Sequence, residues 1–129
     1  MKLKGKIAIV TGASRGIGLA IAKCIGAHGA TVIINGLNPE KGAQLEQELT
    51  NSGISAEFRA FDVTDETLVT ENIKAIGEKY GKIDILVNNA GGLGGRSRFE
   101  EMTTEFYRSV LALNLDSVFF ASRAAIPFL

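Results

Sequence analysis

The sequence has little of the residue types that form crosslinks or bind metals. Its 129 residues include one cysteine (Cys24), one histidine (His28), two prolines and no tryptophan. A single cysteine excludes an internal disulfide, which suits a reducing compartment. One cysteine and one histidine, without carboxylates at ligand spacing, do not make a zinc site. We therefore expect a cytoplasmic protein with no bound metal.

Excess charge and long apolar runs are also absent. Fourteen basic and fourteen acidic residues cancel, and a neutral domain without a basic run is a poor candidate for binding nucleic acid or an anionic membrane. The amino-terminal apolar run, Ile7–Val10, is too short for a signal peptide. No stretch approaches the ~18 uninterrupted apolar residues of a membrane span. We expect neither a nucleic-acid nor a membrane partner.

Short apolar runs alternate with stretches of helical periodicity. Apolar residues make up 46% of the chain and charged residues 22%, which is typical of a globular domain, and we expect one domain over residues 1–129. Continuous apolar runs fit strands buried on both faces of a parallel sheet. Strand–helix alternation then predicts an α/β, doubly wound fold with right-handed crossovers. The predicted strands are Ile7–Val10, Thr31–Asn35, Ala56–Phe61 and Ile83–Val87.

The first predicted helix has an apolar face formed by Ile17, Ile21, Cys24 and Ile25, and it ends at Gly29. On that face Cys24 is interpreted as a buried small hydrophobe in preference to a reactive thiol.

Polar residues mark the starts of the later helices. Asn38 followed by Pro39 predicts an N-cap and the first helical residue of the second helix. Thr64 is the predicted cap of the third helix, and Thr103 or Thr104 that of the last. The last helix should end just before Pro127.

A glycine-rich turn, Thr11–Gly18, joins the first strand to the first helix. Gly12, Gly16 and Gly18 have no Cβ, so an anion can approach the backbone N–H groups at the helix start. The spacing is G-x-x-x-G-x-G and differs from the G-x-G-x-x-G pattern of dinucleotide-binding proteins. Two interpretations stay open on these residues alone: a cradle for a nucleotide phosphate, or a turn without a ligand.

Four motifs in order carry a family resemblance. Thr11–Gly18 (TGASRGIG) resembles the cofactor turn of the short-chain dehydrogenase/reductase family. Asp62-Val63 resembles that family's adenine contact, and Asn88–Gly91 (NNAG) resembles its segment after the fourth strand. Asn114 resembles the asparagine of its catalytic tetrad. The resemblance extends over the whole chain.

The resemblance implies a Rossmann-like sheet with strand order 3-2-1-4. It also implies that the sheet is truncated before the family's fifth strand. It also implies a catalytic role for Asn114, which helps to hold a water in the family's proton relay. Asp62 has the alternative of capping the next helix, and Asn114 that of bonding backbone within its helix. The implied cofactor-binding residues are Gly12, Ser14, Arg15, Gly16, Ile17, Gly18, Leu37, Asp62, Val63, Asn89, Ala90 and Gly91.

The choice of cofactor depends on the end of the second strand. An acid there binds the ribose 2′-OH of NAD, but this strand ends Asn35-Gly36-Leu37-Asn38. Arg15 can reach a 2′-phosphate, and family members with a basic residue at its position commonly use NADP. Leu37 weakens this argument because many such members have a second basic residue there. Together these residues favour NADP(H) over NAD(H).

The family's Tyr-x-x-x-Lys pair is not found in these 129 residues. Asp84 stands four residues after Tyr80, Leu111 four residues after Tyr107, and no lysine follows Lys82. The resemblance therefore implies the amino-terminal half of an NAD(P)-dependent oxidoreductase, with its catalytic Ser, Tyr and Lys missing and the chain alone inactive. The alternative is a non-catalytic nucleotide-binding or oligomerisation fragment.

Partners and substrate follow from the resemblance only in outline. The family's counterpart of the last helix often packs against its twin, so we expect a homo-oligomer. The nearest general resemblance is to 3-oxoacyl-thioester reductases, with a small carbonyl or alcohol substrate. Arg96 and Arg98 are either contacts for an anionic substrate or solvated loop charges.

Overall fold

Four parallel strands form the sheet of the computed structural model, which describes residues 1–129. Their bounds are β1 (Ile7–Val10), β2 (Thr31–Gly36), β3 (Ala56–Ala60) and β4 (Ile85–Val87). The spatial order is β3-β2-β1-β4, so the predicted doubly wound topology is confirmed. The central strand is β1, where Ala8 pairs with Val32 on one side and with Ile85 on the other.

Helices connect the strands and cover both faces of the sheet. They are α1 (Gly16–Ala27), α2 (Pro39–Asn51), α3 (Glu66–Tyr80), α4 (Thr104–Leu111) and α5 (Ser117–Ala125). A π-helical turn, Ala112–Asp116, joins α4 to α5, and short 3-10 helices occupy Phe99–Glu101 and Ile126–Phe128. The α-helical part ends before Pro127, as predicted, whereas the sequence pattern did not indicate the π turn.

The two faces of β1 contribute to two separate cores. Ile7 and Ile9 belong to the cluster that includes Val69, Ile73 and Ile76 of α3. Ala8 and Val10 belong to the opposite cluster, with small and aliphatic residues of α1 and α2. Because successive side chains of a strand point to opposite faces, an uninterrupted apolar run is what a sheet covered on both sides requires.

The first helix packs against the sheet through small residues, and the predicted apolar face is only partly confirmed: Ile21 and Ile25 are half-buried against the core. Gly18, Ala22 and Gly26 are buried, whereas Cys24 is exposed and Ile17 is 75% exposed. A Cβ on Gly26 would meet the side chain of Ile54. The prediction of a buried Cys24 was therefore wrong, because close approach of the backbone selects the glycine–alanine stripe for the contact.

The fourth strand begins two residues later than predicted because two groups at its start have other partners. The Asp84 carboxylate accepts the Ile7 N–H at 2.8 Å and pairs with Lys82 at 3.0 Å. Ile83 donates its N–H to the Phe128 carbonyl. The N–H of Ile7 and the salt bridge from Lys82 hold the pKa of Asp84 below its ordinary value. Asp84 also donates its own N–H to the Ile7 carbonyl at 2.8 Å, so its side chain and main chain together hold Ile7 where the ladder with β1 begins.

The segment Thr104–Phe128 is long and apolar enough to cross a membrane, by length and composition only. We expected no membrane span because the sequence has no long uninterrupted apolar run. This helix is interrupted by charged residues, among them Arg108, Asp116 and Arg123. Arg123 pairs with Glu66 of α3. A single helix of this kind is weak evidence for a membrane protein, because core helices of soluble proteins have the same properties.

A polar cluster joins the edge strand β3 to the end of α3. Glu57 accepts hydrogen bonds from Arg59 at 2.6 Å, Lys79 at 2.7 Å and Tyr80 at 2.6 Å. Burial alone would raise the pKa of the Glu57 carboxyl, but the bonds from Lys79, Tyr80 and Arg59 together hold it below its ordinary value. Burial and the bond to Glu57 raise the pKa of Tyr80.

We predict that Glu57→Gln destabilises the fold at neutral pH by about 1–2 kcal/mol, the range of a charged hydrogen-bond network that loses its charge. A carboxyl with a lowered folded pKa contributes stability above its unfolded pKa of about 4.3 and loses it as the pH falls through the folded pKa. Urea unfolding at pH 7 and below pH 4 should therefore show the difference between wild type and variant shrinking in acid.

Glu78→Gln is the matched control, because it removes the same charge from an exposed α3 side chain. The Glu78 Oε1 lies 4.0 Å from the Lys74 Nζ. Its effect should stay below about 0.5 kcal/mol at both pH values. Equal effects of the two substitutions at neutral pH would contradict a stabilising role for the cluster.

Candidate active site

All four strands end at one cleft. Its volume is 620 Å³, and segments following β1, β2, β3 and β4 line it. In open parallel sheets, ligands bind outside the carboxyl ends of the strands. The lining residues are Gly12, Ser14, Arg15, Asn35, Gly36, Leu37, Asn38, Lys41, Phe61, Asp62, Val63, Asn89, Ala90, Gly91 and Leu113.

Backbone conformation and close packing both require glycine in the turn after β1. Gly12 and Gly16 have φ values of +58° and +60°. A Cβ on Gly12 would lie 2.8 Å from Ala90 Cα, and one on Gly18 would lie 2.6 Å from the Gly12 carbonyl oxygen. Side chains are therefore excluded at Gly12 and Gly18 by packing, while Gly16 faces open space and requires glycine for its conformation.

The start of α1 differs from the starts of the other α-helices that follow loops. Asn38 caps α2 by accepting from Glu40 and Lys41 N–H, Asp65 caps α3, and Thr103 caps α4. No side chain caps α1, and its first turn contains no acidic residue. The first N–H groups of α1 therefore keep their capacity to donate to an anion, and the positive end of the helix favours one.

Thr11 and Asn89 fix the glycine turn to the segment after β4. The buried Thr11 hydroxyl accepts from the N–H groups of Asn89 at 3.1 Å and Ala90 at 3.0 Å. The Asn89 amide donates to the Gly12 carbonyl at 3.0 Å. Asn88 instead donates to Ser122 of α5 at 3.2 Å. The Thr11 and Asn89 bonds make both segments one wall of the cleft, and the Asn88 bond ties the end of β4 to α5.

The opposite wall contains Leu37, Asp62 and Val63. Leu37 is 73% exposed and Val63 is buried. Asp62 Oδ1 accepts from the Thr64 N–H at 2.9 Å and from its hydroxyl at 2.7 Å. The predicted cap, Thr64, is therefore wrong: Asp65 caps α3 by accepting from Leu68 N–H. Asp62 fixes the turn before the helix, and its Oδ2 has no protein partner.

Two basic side chains, Arg15 and Lys41, belong to the lining of the cleft. Both are exposed, and neither belongs to a salt bridge. Lys41 was not among the predicted site residues. The available signal was its place in the first turn of α2, three residues after the Asn38 cap. The cleft therefore has two cations and, at the end of β2, no acid.

Asn114 lies in the π-helical turn and bonds backbone on two segments. Its amide donates to the carbonyls of Gly92 at 2.7 Å and Val110 at 2.8 Å, and its Oδ1 accepts from the Gly92 N–H at 3.0 Å. The side chain thereby holds the loop that follows Gly91 against the last helix. A catalytic role for Asn114 stays a prediction.

The fold brings most of the predicted site residues together. Nine of the predicted cofactor residues line the cleft: Gly12, Ser14, Arg15, Leu37, Asp62, Val63, Asn89, Ala90 and Gly91. Gly16, Ile17 and Gly18 form the adjoining first turn of α1, and Asn114 contacts the segment at its rim. Asn35, Gly36, Asn38, Lys41, Phe61 and Leu113 line the cleft without having been predicted.

The geometry fits a dinucleotide. Gly16 at the start of α1 faces open space, with no atom within 4 Å of where a Cβ would stand, and the open start of α1 suits a pyrophosphate. The wall formed by Leu37, Asp62 and Val63 offers apolar contact and one carboxylate oxygen to a base. A nicotinamide cofactor bound there would supply or accept a hydride.

Comparison with known proteins agrees with this geometry. The family model described as short chain dehydrogenase matches residues 6–129. A gluconate 5-dehydrogenase of Gluconobacter oxydans is 40% identical over 122 residues, which cover 95% of this chain and 47% of the relative. A 3-oxoacyl-[acyl-carrier-protein] reductase of Chlamydia muridarum is 40% identical over 125 residues, covering 96% of this chain and 50% of the relative.

Solved structures of the same kind superpose closely. A short-chain dehydrogenase of Burkholderia cenocepacia in complex with NADP has a TM-score of 0.92 at 35% identity, covering 100% of this chain and 53% of that one. A metagenomic short-chain oxidoreductase in complex with NADP has a TM-score of 0.90 at 35% identity, covering 98% and 57%. The chain spans about half the length of the curated relatives it matches. It belongs to the short-chain dehydrogenase/reductase family.

Proposed function

We propose that this chain is the dinucleotide-binding part of an NADP(H)-dependent oxidoreductase that acts on a small carbonyl or alcohol. The observation that carries the proposal is the uncapped start of α1 beside a glycine turn, at the edge where all four strands end. Every other α-helix that follows a loop is capped by the side chain of its N-cap residue. A bound pyrophosphate would take the place of the missing cap.

Each wall of the cleft has a role in the proposal. Backbone N–H groups of Gly16–Gly18 and the Ser14 hydroxyl would hold the pyrophosphate. Asp62 and Val63 would contact the adenine, with the Asp62 carboxylate accepting from its exocyclic amine. Asn89, Ala90 and Gly91 would support the nicotinamide side, and Asn114 would help to hold a water of the proton relay.

The preference for NADP(H) is supported by the charges of the cleft. Arg15 and Lys41 both line it, and no carboxylate stands at Leu37 after β2 to bind a free 2′-OH or repel a 2′-phosphate. Guanidinium groups bind phosphate through paired hydrogen bonds. Lys41 supplies the second positive charge that Leu37 does not.

We expect the chain to bind NADPH more tightly than NADH in calorimetric titrations. Arg15→Ala should weaken NADPH binding about tenfold, equivalent to about 1.4 kcal/mol, while leaving NADH within about twofold. Lys41→Ala should act in the same direction with a smaller effect, because an ammonium binds phosphate as a point charge.

Arg108→Ala is the matched control, since Arg108 is exposed on α4 and does not line the cleft. It removes the same charge and should leave both affinities unchanged. Tighter binding of NADH by the wild type, or an equal loss of both cofactors on Arg15→Ala, would contradict the preference.

The proposal also holds that these 129 residues bind the cofactor without turning it over. The family's general acid is a tyrosine with a lysine four residues later, and neither Tyr80 nor Tyr107 has that lysine. The non-catalytic interpretation thus applies to the chain by itself. The oxidoreductase activity is proposed for a protein that also contains such a tyrosine–lysine pair.

We predict no consumption of NADPH when the purified chain is incubated with small ketones, aldehydes or 3-oxoacyl thioesters. The measurement is the absorbance of the reduced nicotinamide over time. Saturable NADPH binding by the same preparation is the control that the protein is folded. Cofactor-dependent turnover would overturn the claim that the chain alone is inactive.

Self-association and a cytoplasmic location complete the proposal. Leu115, Phe119 and Ile126 of the last helix are more than half exposed, which supports a homo-oligomer because such faces are usually covered. The presence of a single cysteine supports a reducing compartment.

A further inference from the structure

Asn35, at the carboxyl end of β2, is a buried polar residue with no role in the function proposed above. It is 2% exposed and lines the inner end of the cleft. Its Oδ1 accepts the Gly12 N–H at 3.0 Å. Its amide group donates to the carbonyls of Phe61 at 2.9 Å and Arg59 at 3.4 Å. One side chain therefore bonds the segments that follow both neighbouring strands.

Those two segments carry different parts of the candidate site. Gly12 begins the turn that leads to the open start of α1, and Phe61 directly precedes Asp62 and Val63. The backbone of β2 adds parallel bonds, because Asn35 O accepts from Ala13 N–H at 2.8 Å and Gly36 O accepts from Phe61 N–H at 3.2 Å. The Gly12 N–H has the Asn35 side chain as its partner.

The residue type matches this task closely. An asparagine has an acceptor and two donors on one short side chain. An aspartate could still accept from Gly12, but it could not donate to Phe61 and would bury a charge against a carbonyl oxygen. An apolar side chain of the same size would leave the Gly12 N–H and the Phe61 carbonyl without these bonds.

We propose that Asn35 is a positioning residue that holds the phosphate-binding turn and the adenine-contact segment at a fixed separation, so that one dinucleotide engages both. This inference rests on the proposed cofactor site. A ligand that spans both segments gains from their fixed separation, since the second contact becomes intramolecular once the first is made. A ligand that touches only one segment gains little.

The first test needs no cofactor. In Asn35→Leu, hydrogen exchange of the Gly12 amide should become about tenfold faster or more, because its partner is removed. The Ala13 amide should change less, since its partner is the main chain of the same residue. Asn35→Asp, which keeps the acceptor, should leave Gly12 protected, and it provides a second variant if the leucine variant folds poorly.

The second test compares ligands by NMR titration. NADPH spans both segments, adenosine reaches only the adenine segment, and inorganic pyrophosphate reaches only the turn. Asn35→Leu and Asn35→Asp should weaken NADPH about tenfold. Adenosine should stay within about twofold for both variants, and pyrophosphate within about twofold for Asn35→Leu. A loss of pyrophosphate binding in Asn35→Asp alone would measure its added charge, so Asn35→Leu decides the positioning effect.

Ile33→Val is the control for lost stability, since Ile33 is a fully buried apolar residue on the same strand. It should leave the Gly12 amide and all three affinities unchanged. Unchanged Gly12 exchange in Asn35→Leu, or equal weakening of all three ligands, would overturn the role of Asn35. Failure of the wild type to bind NADPH would instead contradict the proposed function, and with it the ligand part of this inference, while the exchange test still decides whether Asn35 holds the turn.

Discussion

The contact between the turn after β1 and the segment after β4 is the constraint on which the site depends. Gly12 lies so close to Ala90 that a Cβ would be 2.8 Å from its Cα. The Thr11 hydroxyl and the Asn89 amide can bridge the two segments only at this separation. The same turn leads into α1, whose first N–H groups are uncapped. Packing and anion binding therefore share one local geometry, and a side chain at Gly12 would disturb both.

The sequence predicted those features that depend on local chemistry. Asn38 and Pro39 start α2 as expected, and Thr103, one of the two predicted caps, starts α4 by accepting from the Phe106 N–H. Continuous apolar runs identified β1, β2 and β4, whereas β3 alternates apolar and charged residues at the edge of the sheet. The glycine turn and the NNAG segment line the same cleft because they follow β1 and β4, which are neighbours in the strand order of the family.

Other features could not be predicted because they depend on contacts between distant segments. Cys24 and Ile17 matched a helical period, but α1 packs through Gly18, Ala22 and Gly26 because its backbone lies close to the sheet. Ile83 and Asp84 resemble the start of β4 in sequence. In the structure the Ile83 N–H donates to the Phe128 carbonyl, and the Asp84 carboxylate accepts the Ile7 N–H. Asn35 and Lys41 belong to the site from β2 and α2. Their place in it could not be predicted, because it depends on how the ends of neighbouring strands come together.

The central claim is that the open start of α1 binds the phosphates of a nicotinamide dinucleotide. The most direct measurement is an NMR titration of the isotope-labelled chain with NADPH, following every backbone amide. We expect saturable shifts that are largest at Gly16, Ile17 and Gly18, with smaller ones at Asp62, Val63 and Asn89–Gly91. Saturable shifts confined to the opposite cleft around Met1, Lys4 and Gly29, or no saturable shifts at the first turn of α1, would contradict it.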